Sequence, residues 1–293
     1  MSPSRHGALL AAVLACAIGS SHAAGVAQLD DRGTHVVLPR PAQRIVAISP
    51  HLAELAFEAG AGHKLVGTVR GSDFPPAAAR LPSVGDATGL DFERITALRP
   101  DLILGWGSGN RAADLEHLAA AGHAVFVAEP RRLRDIARHL LAIGALAATL
   151  EPARRAAAAF EQRRALLEQR YAAARPRQVF IEIWRRPLFT VDERHLISDA
   201  LRVCGARNAI AGLPVDAAPI PVEWLFRLDP DAIVSTLGEP VVEARAFWAT
   251  FPQLKAVQRG AILTLAPERI VRATPRILDG VEELCRMLEG AQR

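Results

Sequence analysis

The residues that could bind a metal or move protons are scattered along the sequence. The histidines at positions 35, 51, 63, 117, 123, 139 and 195 form no HxxxH or HExxH pair, whereas metal sites need clustered ligands. His51 stands apart because it follows a predicted buried strand, and parallel sheets bind ligands at the carboxyl ends of their strands. We expect no metal site, a candidate cleft position for His51, and surface or helix-end positions for most other histidines.

The glycines form no phosphate-binding loop. The turn after the first predicted strand is Ser49-Pro50-His51, and Gly105, Gly107 and Gly109 lack the remaining spacing of a dinucleotide fingerprint. The sequence contains no Walker loop and no nucleophile elbow. Because no convergent set of titratable residues can be assembled, we expect a binding protein without a cofactor rather than an enzyme.

The N-terminal residues have the pattern of a secretory signal peptide. A basic start at Arg5 leads into the apolar run Ala8–Ile18 and a small-x-small cleavage site that ends at Ala23. The run is too short for a membrane span, which needs about 20 apolar residues. We expect residues 1–23 to be removed on export to the periplasm. A lipoprotein site at Cys16 is the less favoured alternative, because the preceding residues fit the lipoprotein pattern poorly.

Removal of the signal peptide leaves two cysteines, Cys204 and Cys285, in a compartment where disulfides persist. An even pair in that setting indicates one disulfide, although two buried free thiols are the alternative.

The 35 basic and 31 acidic side chains nearly cancel, so nucleic acid is not an expected partner. With half of its 293 residues hydrophobic, the chain can bury one large core or two modest ones, and its length favours two lobes.

The hydrophobic pattern predicts two similar α/β halves. Strands alternate with helical segments, which is typical of parallel sheets covered by helices. A hairpin is predicted to precede them, from Gln28 to Leu38. The two halves share an internal repeat with a constant shift of 130 positions: Glu93, Leu98, Pro100 and Asp101 recur as Glu223, Leu228, Pro230 and Asp231.

A long helix is predicted between the halves, from Pro152 to Ala174, with Phe160, Leu167 and Tyr171 on one face. At 1.5 Å per residue it would span roughly 35 Å and could bridge two lobes. Because one helix is stiff, we expect only a small closure of the lobes on ligand binding. The expected domains are an N-terminal lobe at 24–148, a bridging helix at 149–175 and a C-terminal lobe at 176–293.

The order of short motifs resembles that of the periplasmic cobalamin-binding proteins, within a wider group of helix-bridged binding proteins that also carry ferric siderophores and haem. The resemblance runs from about Arg44 to about Leu288. Its first-lobe motifs are Arg44-Ile45-Val46, Ser49-Pro50, Glu54-Leu55, Ala59-Gly60, Asp73-Phe74-Pro75-Pro76, Glu93-Arg94-Ile95 and Pro100-Asp101-Leu102. Its second-lobe motifs are Leu201–Gly205, Glu223, Ala273-Thr274-Pro275-Arg276 and Leu284-Cys285.

The resemblance implies two Rossmann-like α/β lobes with parallel sheets, joined by a single long backbone helix, with cobalamin in the cleft between them. It implies a monomer that delivers this ligand to the permease dimer of an ABC importer with its ATPase subunits. Glu93 and Glu223 match the glutamates that dock onto permease arginines, although solvated helix-start glutamates are the alternative. Cys204 and Cys285 match a second-lobe disulfide.

The resemblance also implies ligand contacts. Flat aromatic side chains after predicted strands suit the broad face of a corrin ring, although packing in the core is the alternative for each of them. A segment after the last strand aligns with ligand-contacting residues of the family. The implied ligand-binding residues are Gly71, Trp106, Trp184, Phe189, Glu268, Arg269, Ile270, Val271 and Arg272.

Three positions depart from the family pattern. Gly71 stands where the family has a pocket tyrosine, and Ala87 and Ala217 stand at or near the positions of cleft tryptophans. Loss of these faces would widen the pocket for another corrinoid, weaken cobalamin binding or indicate another bulky cargo. The exact cargo is therefore left open.

Two alternative functions follow from these departures. A ferric siderophore would use cleft arginines, for which Arg70, Arg185, Arg186 and Arg272 are available, and haem would use His51, since Tyr171 lies in the bridging helix. An exported enzyme on the same scaffold is a more distant alternative.

Overall fold

The computed structural model describes residues 25–86 and 88–291. The expected signal peptide with its cleavage site near Ala23, the alternative lipidation site at Cys16, and Ala87 lie outside these residues. In this part of the chain, no helix combines the length and apolar character needed to span a membrane.

The first lobe is a four-stranded parallel sheet covered by helices and preceded by the expected antiparallel hairpin. Its strands are β1 (Val26–Leu29), β2 (His35–Leu38), β3 (Ile45–Ala47), β4 (Leu65–Thr68), β5 (Gly85–Asp86), β6 (Gly89–Leu90), β7 (Leu102–Trp106) and β8 (Val125–Ala128). Its helices are α1 (Pro50–Glu58), α2 (Phe92–Ala97), α3 (Ala112–Ala120) and α4 (Leu133–Leu146). The sheet has the strand order β4-β3-β7-β8.

The bridging helix, α5 (Leu150–Tyr171), has 22 residues and starts slightly earlier and ends earlier than the sequence pattern predicts. Pro152 lies in its first turn, where the missing N–H costs no helical hydrogen bond. The predicted face is the buried one, since Phe160, Leu167 and Tyr171 are all buried together with Ala153. This helix packs against both lobes.

The second lobe repeats the first. Its strands are β9 (Arg177–Glu182), β10 (Phe189–Val191), β11 (Ala206–Asn208), β12 (Ala217–Pro219), β13 (Ala232–Ser235) and β14 (Ile262–Thr264). Its helices are α6 (Leu196–Val203), α7 (Glu223–Leu228), α8 (Val241–Trp248), α9 (Lys255–Gln258), α10 (Pro267–Ile270) and α11 (Ile277–Gly290). The parallel sheet has the order β11-β9-β13-β14, and β10 pairs with β12 in a separate ladder.

The repeated sequence motif has the same structural role in each lobe. In chain order, both sheets follow the pattern second, first, third, fourth strand. The Asp101 carboxylate accepts hydrogen bonds from the backbone N–H groups of Gln43 and Arg44 just before β3, and Asp231 accepts one from Gln178 at the start of β9. The repeated aspartate thus ties the third strand of each lobe to the first, and the two-lobe α/β prediction is confirmed.

One apolar core runs through both lobes and the bridging helix. It contains Ile45 of the first sheet, Phe160 of α5 and Val179 of the second sheet in one continuous cluster of buried side chains. Burial of apolar surface contributes about 25 cal/mol per Å², so this cluster holds the lobes together in addition to the covalent link. The predicted disulfide between Cys204 and Cys285 is present and joins the end of α6 to α11.

His139 is an exception among the histidines, most of which were expected at the surface or at helix ends. His139 is fully buried on α4, and its Nε2 lies 2.7 Å from the Asp31 carboxylate of the hairpin turn. The β1-β2 hairpin covers this part of α4, and the sequence pattern of the helix alone does not reveal that neighbour. His139 is therefore a structural residue that holds the hairpin to the first lobe.

Candidate functional site

A cavity of about 150 Å³ lies between the two lobes. The first lobe contributes His51 after β3, Trp106 at the end of β7 and Glu129 after β8, and the second lobe contributes Ile183 after β9. All four follow or end strands of the two parallel sheets, which is where such sheets place ligands. The cavity is therefore the candidate ligand site.

Trp106 forms the wall between this cavity and a second one of about 160 Å³ within the first lobe. Its backbone N–H donates to Asn110 Oδ1 at 2.7 Å, and Asn110 Nδ2 donates to the Ile48 carbonyl at 2.9 Å, which links the ends of β7 and β3. Gly109 packs under the indole, since a Cβ there would lie 1.8 Å from a ring carbon. The glycine at this position therefore makes room for the Trp106 ring.

His51 is a nearly buried residue of the cavity wall, with 5 % exposure. Its Nδ1 lies 2.8 Å from Ser49 Oγ, and its ring meets Trp106 edge-on with the centroids 5.1 Å apart. Among the described residues, Nε2 has no hydrogen-bond partner. Burial lowers the pKa of His51 to about 3, so the ring is neutral at neutral pH.

His195 lines the same cavity from the second lobe. It caps α6, where its Nδ1 accepts a hydrogen bond from the backbone N–H of Ile197 at 3.1 Å. Burial lowers its pKa to about 4, and the neutral ring therefore carries its proton on Nε2. The cavity thus has a neutral imidazole on each side.

Glu129 is a partly buried carboxyl group at the cavity. Burial raises its pKa, although hydrogen bonds from Ser108 oppose this effect. The Ser108 backbone N–H donates at 2.6 Å and its hydroxyl at 3.0 Å. Gly107 allows this approach, since a Cβ there would lie 2.5 Å from a Glu129 carboxyl oxygen.

Trp184 and Phe189 lie at the two ends of a tight turn between β9 and β10. The Phe189 N–H donates to the Trp184 carbonyl at 2.9 Å, and the Trp184 side chain is 59 % exposed beside Ile183. Arg185, a residue of this turn, forms ion pairs with the fully buried Glu182 and with Glu239. Burial opposes the charged form of Arg185, but these two acidic partners outweigh it and raise the pKa, so the side chain stays charged. Trp184 is thus the predicted aromatic residue that is most accessible.

The segment from Glu268 to Arg272 divides between cleft, core and surface. Val271 lines the cavity, and Arg272 reaches across the lobes to the Asp73 carboxylate and the carbonyl of Gly71. The hydrogen bond from Arg272 lowers the pKa of Asp73. Three members have other surroundings: Ile270 is fully buried in the core, Glu268 is exposed, and Arg269 faces Glu283 of α11 at 3.7 Å.

A second ion pair links the lobes. Arg276 donates two hydrogen bonds, at 2.7 and 2.8 Å, to the carboxylate of Glu54 on α1. Glu54 is fully buried. The guanidinium also lies 3.7 Å from the centre of the Phe74 ring. Motif residues from both lobes, which the sequence places more than 200 positions apart, therefore form one interlobe contact.

The predicted docking glutamates are both exposed, and each lies in the first turn of a six-residue helix. Glu93 is on α2 and Glu223 is on α7, and these helices occupy equivalent places in the two lobes. Neither carboxylate forms an ion pair within the part of the chain that the structure describes. Both charges are thus available to a partner.

Ala217 departs from the expected cleft position. It lies on β12, paired with Val191 of β10, and packs against the main core rather than lining the cavity. Ala87, outside the described residues, allows no such comparison. Gly71 is exposed with φ +86°, and a Cβ placed on it would have its nearest neighbouring atom 3.9 Å away, so space remains where the family has a tyrosine.

Sequence reasoning missed five polar residues of the cavity: Ser108, Glu129, Arg131, His195 and Asp216. The signal for Glu129 was present, because it follows the apolar strand β8 directly. His195 and Asp216 follow or precede short strands of the β10-β12 ladder, which the apolar pattern does not reveal. No group of three or more metal-binding side chains occurs in residues 25–86 and 88–291.

Comparisons with known proteins agree with this architecture. The family model described as periplasmic binding protein matches residues 45–268. A vitamin B12-binding protein of Photorhabdus laumondii is 36 % identical over 246 residues, covering 84 % of this chain and 87 % of that protein. The crystal structure of the periplasmic vitamin B12 binding protein of Vibrio cholerae has 32 % identity and a TM-score of 0.80, covering 86 % of this chain and 99 % of that one.

A haem-binding relative shares the fold. The crystal structure of a periplasmic heme binding protein from Pseudomonas aeruginosa has 28 % identity and a TM-score of 0.69, covering 83 % of this chain and 91 % of that one. The family model covers most of the chain, and the curated relative exceeds 30 % identity over more than two thirds of both proteins. This chain belongs to the periplasmic binding protein family.

Proposed function

We propose that this protein binds cobalamin or a related corrinoid between its lobes and delivers it to an ABC importer. The observation that carries the proposal is the interlobe cavity at the strand ends, with Trp106 in its wall, in a chain similar over most of its length to vitamin B12-binding proteins. Membership of the family supports a small-molecule ligand and a transporter partner. Catalysis is not part of the proposal.

The size of the cavity indicates how a corrinoid would be held. Pockets for drug-sized ligands usually measure about 300–1,000 Å³, and the enclosed volume here is about 150 Å³. A large flat ligand would therefore rest across the open rim, where Trp184 is 59 % and Val271 is 44 % exposed. Trp106 would contact its inner part, and His195 and Glu129 would offer hydrogen bonds to amide groups.

The arginines argue against an anionic siderophore. Arg70 lies 3.4 Å from the Asp86 carboxylate, Arg272 pairs with Asp73, and Arg185 pairs with two glutamates. Of the four arginines proposed for siderophore binding, only Arg186 forms no ion pair among the described residues. A multiply charged anion would have to compete with these carboxylates, whereas an amide-bearing ligand would not.

Haem is the second candidate, and one observation favours it. Tyr171 is 2 % exposed inside the bridging helix and cannot reach a cleft ligand, which leaves His51, in the cavity wall, as the candidate axial ligand for iron. The similarity to a haem-binding protein of Pseudomonas aeruginosa supports the same alternative.

Titration with cyanocobalamin and with haem distinguishes the two. We expect submicromolar one-to-one binding of cyanocobalamin, seen by calorimetry and by quenching of tryptophan fluorescence. Trp106→Phe and Trp184→Phe should each reduce the quenching, whereas Trp224→Phe, on the α7 surface, should not. If cyanocobalamin does not bind at tens of micromolar while haem does, the corrinoid proposal is wrong.

The proposed permease contact has its own test. A Glu93→Ala and Glu223→Ala double variant should keep its ligand affinity and lose association with the purified permease complex, because its two charges can no longer pair with permease arginines. Glu243→Ala is the matched control, since Glu243 is also an exposed glutamate in the first turn of a helix. Equal loss of association with the control would contradict the docking role.

We also propose that residues 1–23 are the signal peptide and that the mature protein is a monomer in the periplasm. The proposed domains are the N-terminal lobe at 24–148, the bridging helix at 149–175 and the C-terminal lobe at 176–293. The family supports a periplasmic location. Mass spectrometry of the exported protein would establish whether it begins near Ala24 or carries a lipid on Cys16.

A further inference from the structure

We propose that Trp224 and Phe226 form, together with Glu223, an aromatic docking surface for the permease subunit that faces the second lobe, and that this lobe contributes more to docking than the first. This inference rests on the proposed delivery to an ABC importer, since it concerns how the same partner is recognised. It begins from exposure: Trp224 is 36 % and Phe226 is 39 % exposed. In the described residues, the only other exposed Phe, Tyr or Trp is Trp184 beside the cleft.

The geometry of α7 places the two rings on either side of the glutamate. Successive residues of an α-helix are about 100° apart around its axis, so Trp224 lies about 100° to one side of Glu223 and Phe226 about 60° to the other. Leu225 lies on the far side and is fully buried in the core of the second lobe. A protein surface that covers the Glu223 carboxylate must therefore also contact one or both rings.

The fold does not require aromatic residues at these positions. The equivalent helix of the first lobe, α2, has the same order of exposed and buried residues, with Ile95 buried where α7 has Leu225. At the exposed positions beside the buried one, however, α2 has Arg94 and Thr96. Since polar residues fit the same backbone, the exposed aromatic pair of the second lobe is a feature of the surface, and such apolar patches mark sites of interaction.

The aromatic surface is held in place before a partner binds. The Phe226 ring packs on Phe251 with the centroids 6.1 Å apart, and Phe251 in turn lies 5.8 Å from the fully buried Trp248. The end of α7 is also fixed, because the Asp229 carboxylate accepts a hydrogen bond of 2.8 Å from the backbone N–H of Lys255 on α9. Little side-chain freedom is therefore lost on docking.

The chemistry of the surface fits a partner that presents arginine. A guanidinium can pair with the Glu223 carboxylate while its flat face stacks on the Trp224 indole. Aromatic side chains around the ion pair also exclude water from it, as apolar neighbours do around the strongest contacts of protein interfaces. In the first lobe, Arg94 occupies the position equivalent to Trp224 and would repel the same arginine beside Glu93. The second lobe is therefore the stronger docking site.

The test gives the second lobe the residues of the first. The double variant Trp224→Arg and Phe226→Thr should weaken binding to the purified permease complex in lipid nanodiscs by about thirtyfold or more, measured by biolayer interferometry. Its cyanocobalamin affinity and its circular dichroism should be unchanged. Two controls should not weaken binding: Arg94→Ala with Thr96→Ala in the first lobe, and Val37→Thr, which removes an apolar side chain that is 63 % exposed on the hairpin.

The outcomes separate this inference from the proposed function. If the unchanged protein does not bind the permease complex, both fail. If it binds and the second-lobe variant binds equally well, or if the first-lobe variant loses as much, the aromatic surface is wrong and delivery to the importer stands. Binding to empty nanodiscs that the second-lobe variant abolishes would instead indicate a lipid surface. A dimer in sedimentation that the variant abolishes would indicate a second copy of this chain, and either result would overturn the permease contact.

Discussion

The interlobe ion pair between Arg276 and Glu54 should be a major source of stability. Glu54 is fully buried and receives two hydrogen bonds, while the Arg276 side chain is 35 % exposed. Removal of one partner of a fully buried pair costs about 3–5 kcal/mol. Since water can enter from the exposed side of Arg276 and hydrate the carboxylate, we expect Arg276→Gln to lower the free energy of unfolding by about 2–3 kcal/mol.

Urea unfolding followed by circular dichroism measures this loss, and the chain provides a matched control. Arg154 and Glu151 are also 2.7 Å apart, but their side chains are 60 % and 70 % exposed, so Arg154→Gln should cost no more than about 0.5 kcal/mol. In the double variant Glu54→Gln and Arg276→Gln, no buried charge is left unpaired. Its loss should therefore be smaller than the sum of the single losses by about 1–2 kcal/mol.

An equal loss in Arg276→Gln and Arg154→Gln would refute this reasoning. It would mean that the Glu54 carboxylate is hydrated when its partner is removed, and that the interlobe pair contributes no more than a surface pair. Strict additivity in the double variant would lead to the same conclusion.

Three further predictions concern the site. Gly109→Ala should displace the Trp106 ring and destabilise the protein by about 1–3 kcal/mol, measured by fluorescence and urea unfolding, whereas Gly89→Ala, where a Cβ meets nothing within 4 Å, should not. The pKa values of His51 and His195 are lowered to about 3 and about 4, so the unfolded chain binds more protons below about pH 6.5. The free energy of unfolding should therefore be highest above that pH and fall towards pH 4. The same fall with pH in His51→Gln as in the unchanged protein would contradict this. Finally, solution scattering should change little on ligand binding; a change equal to a full hinge closure would overturn the expected stiffness.

Sequence reasoning predicted the elements that depend on local pattern. The apolar strands of both sheets and the buried face of α5 follow from hydrophobic periodicity, and the repeat at Asp101 and Asp231 revealed the two equivalent lobes. The disulfide followed from the number of cysteines and the expected compartment. These features are set by neighbours in sequence or by composition.

The contacts between lobes could not be predicted in the same way. Arg276 and Glu54 both appeared in the family motifs, but nothing in their spacing indicates that they meet. His195 was missed because it precedes an amphipathic helix as an ordinary cap, and only the packing of the lobes places it at the cavity. Ile270 was predicted from the resemblance to contact the ligand, yet its helical position directs it into the core.

The rigid frame and the chemistry of the cleft lead to the same kind of ligand. Because one core and three ion pairs join the lobes in the described residues, the third between Arg131 and Asp216, the cleft is largely formed before a ligand arrives, and little binding energy is lost in ordering it. Most of its charged side chains already have partners, so the groups left to a ligand are aromatic faces and neutral hydrogen-bonding atoms. A broad molecule with an apolar face and a rim of amides can satisfy these groups at many points, whereas a small or strongly charged one cannot. Open space also remains beside Gly71, at the interlobe contact with Arg272, and it leaves room for a large cargo.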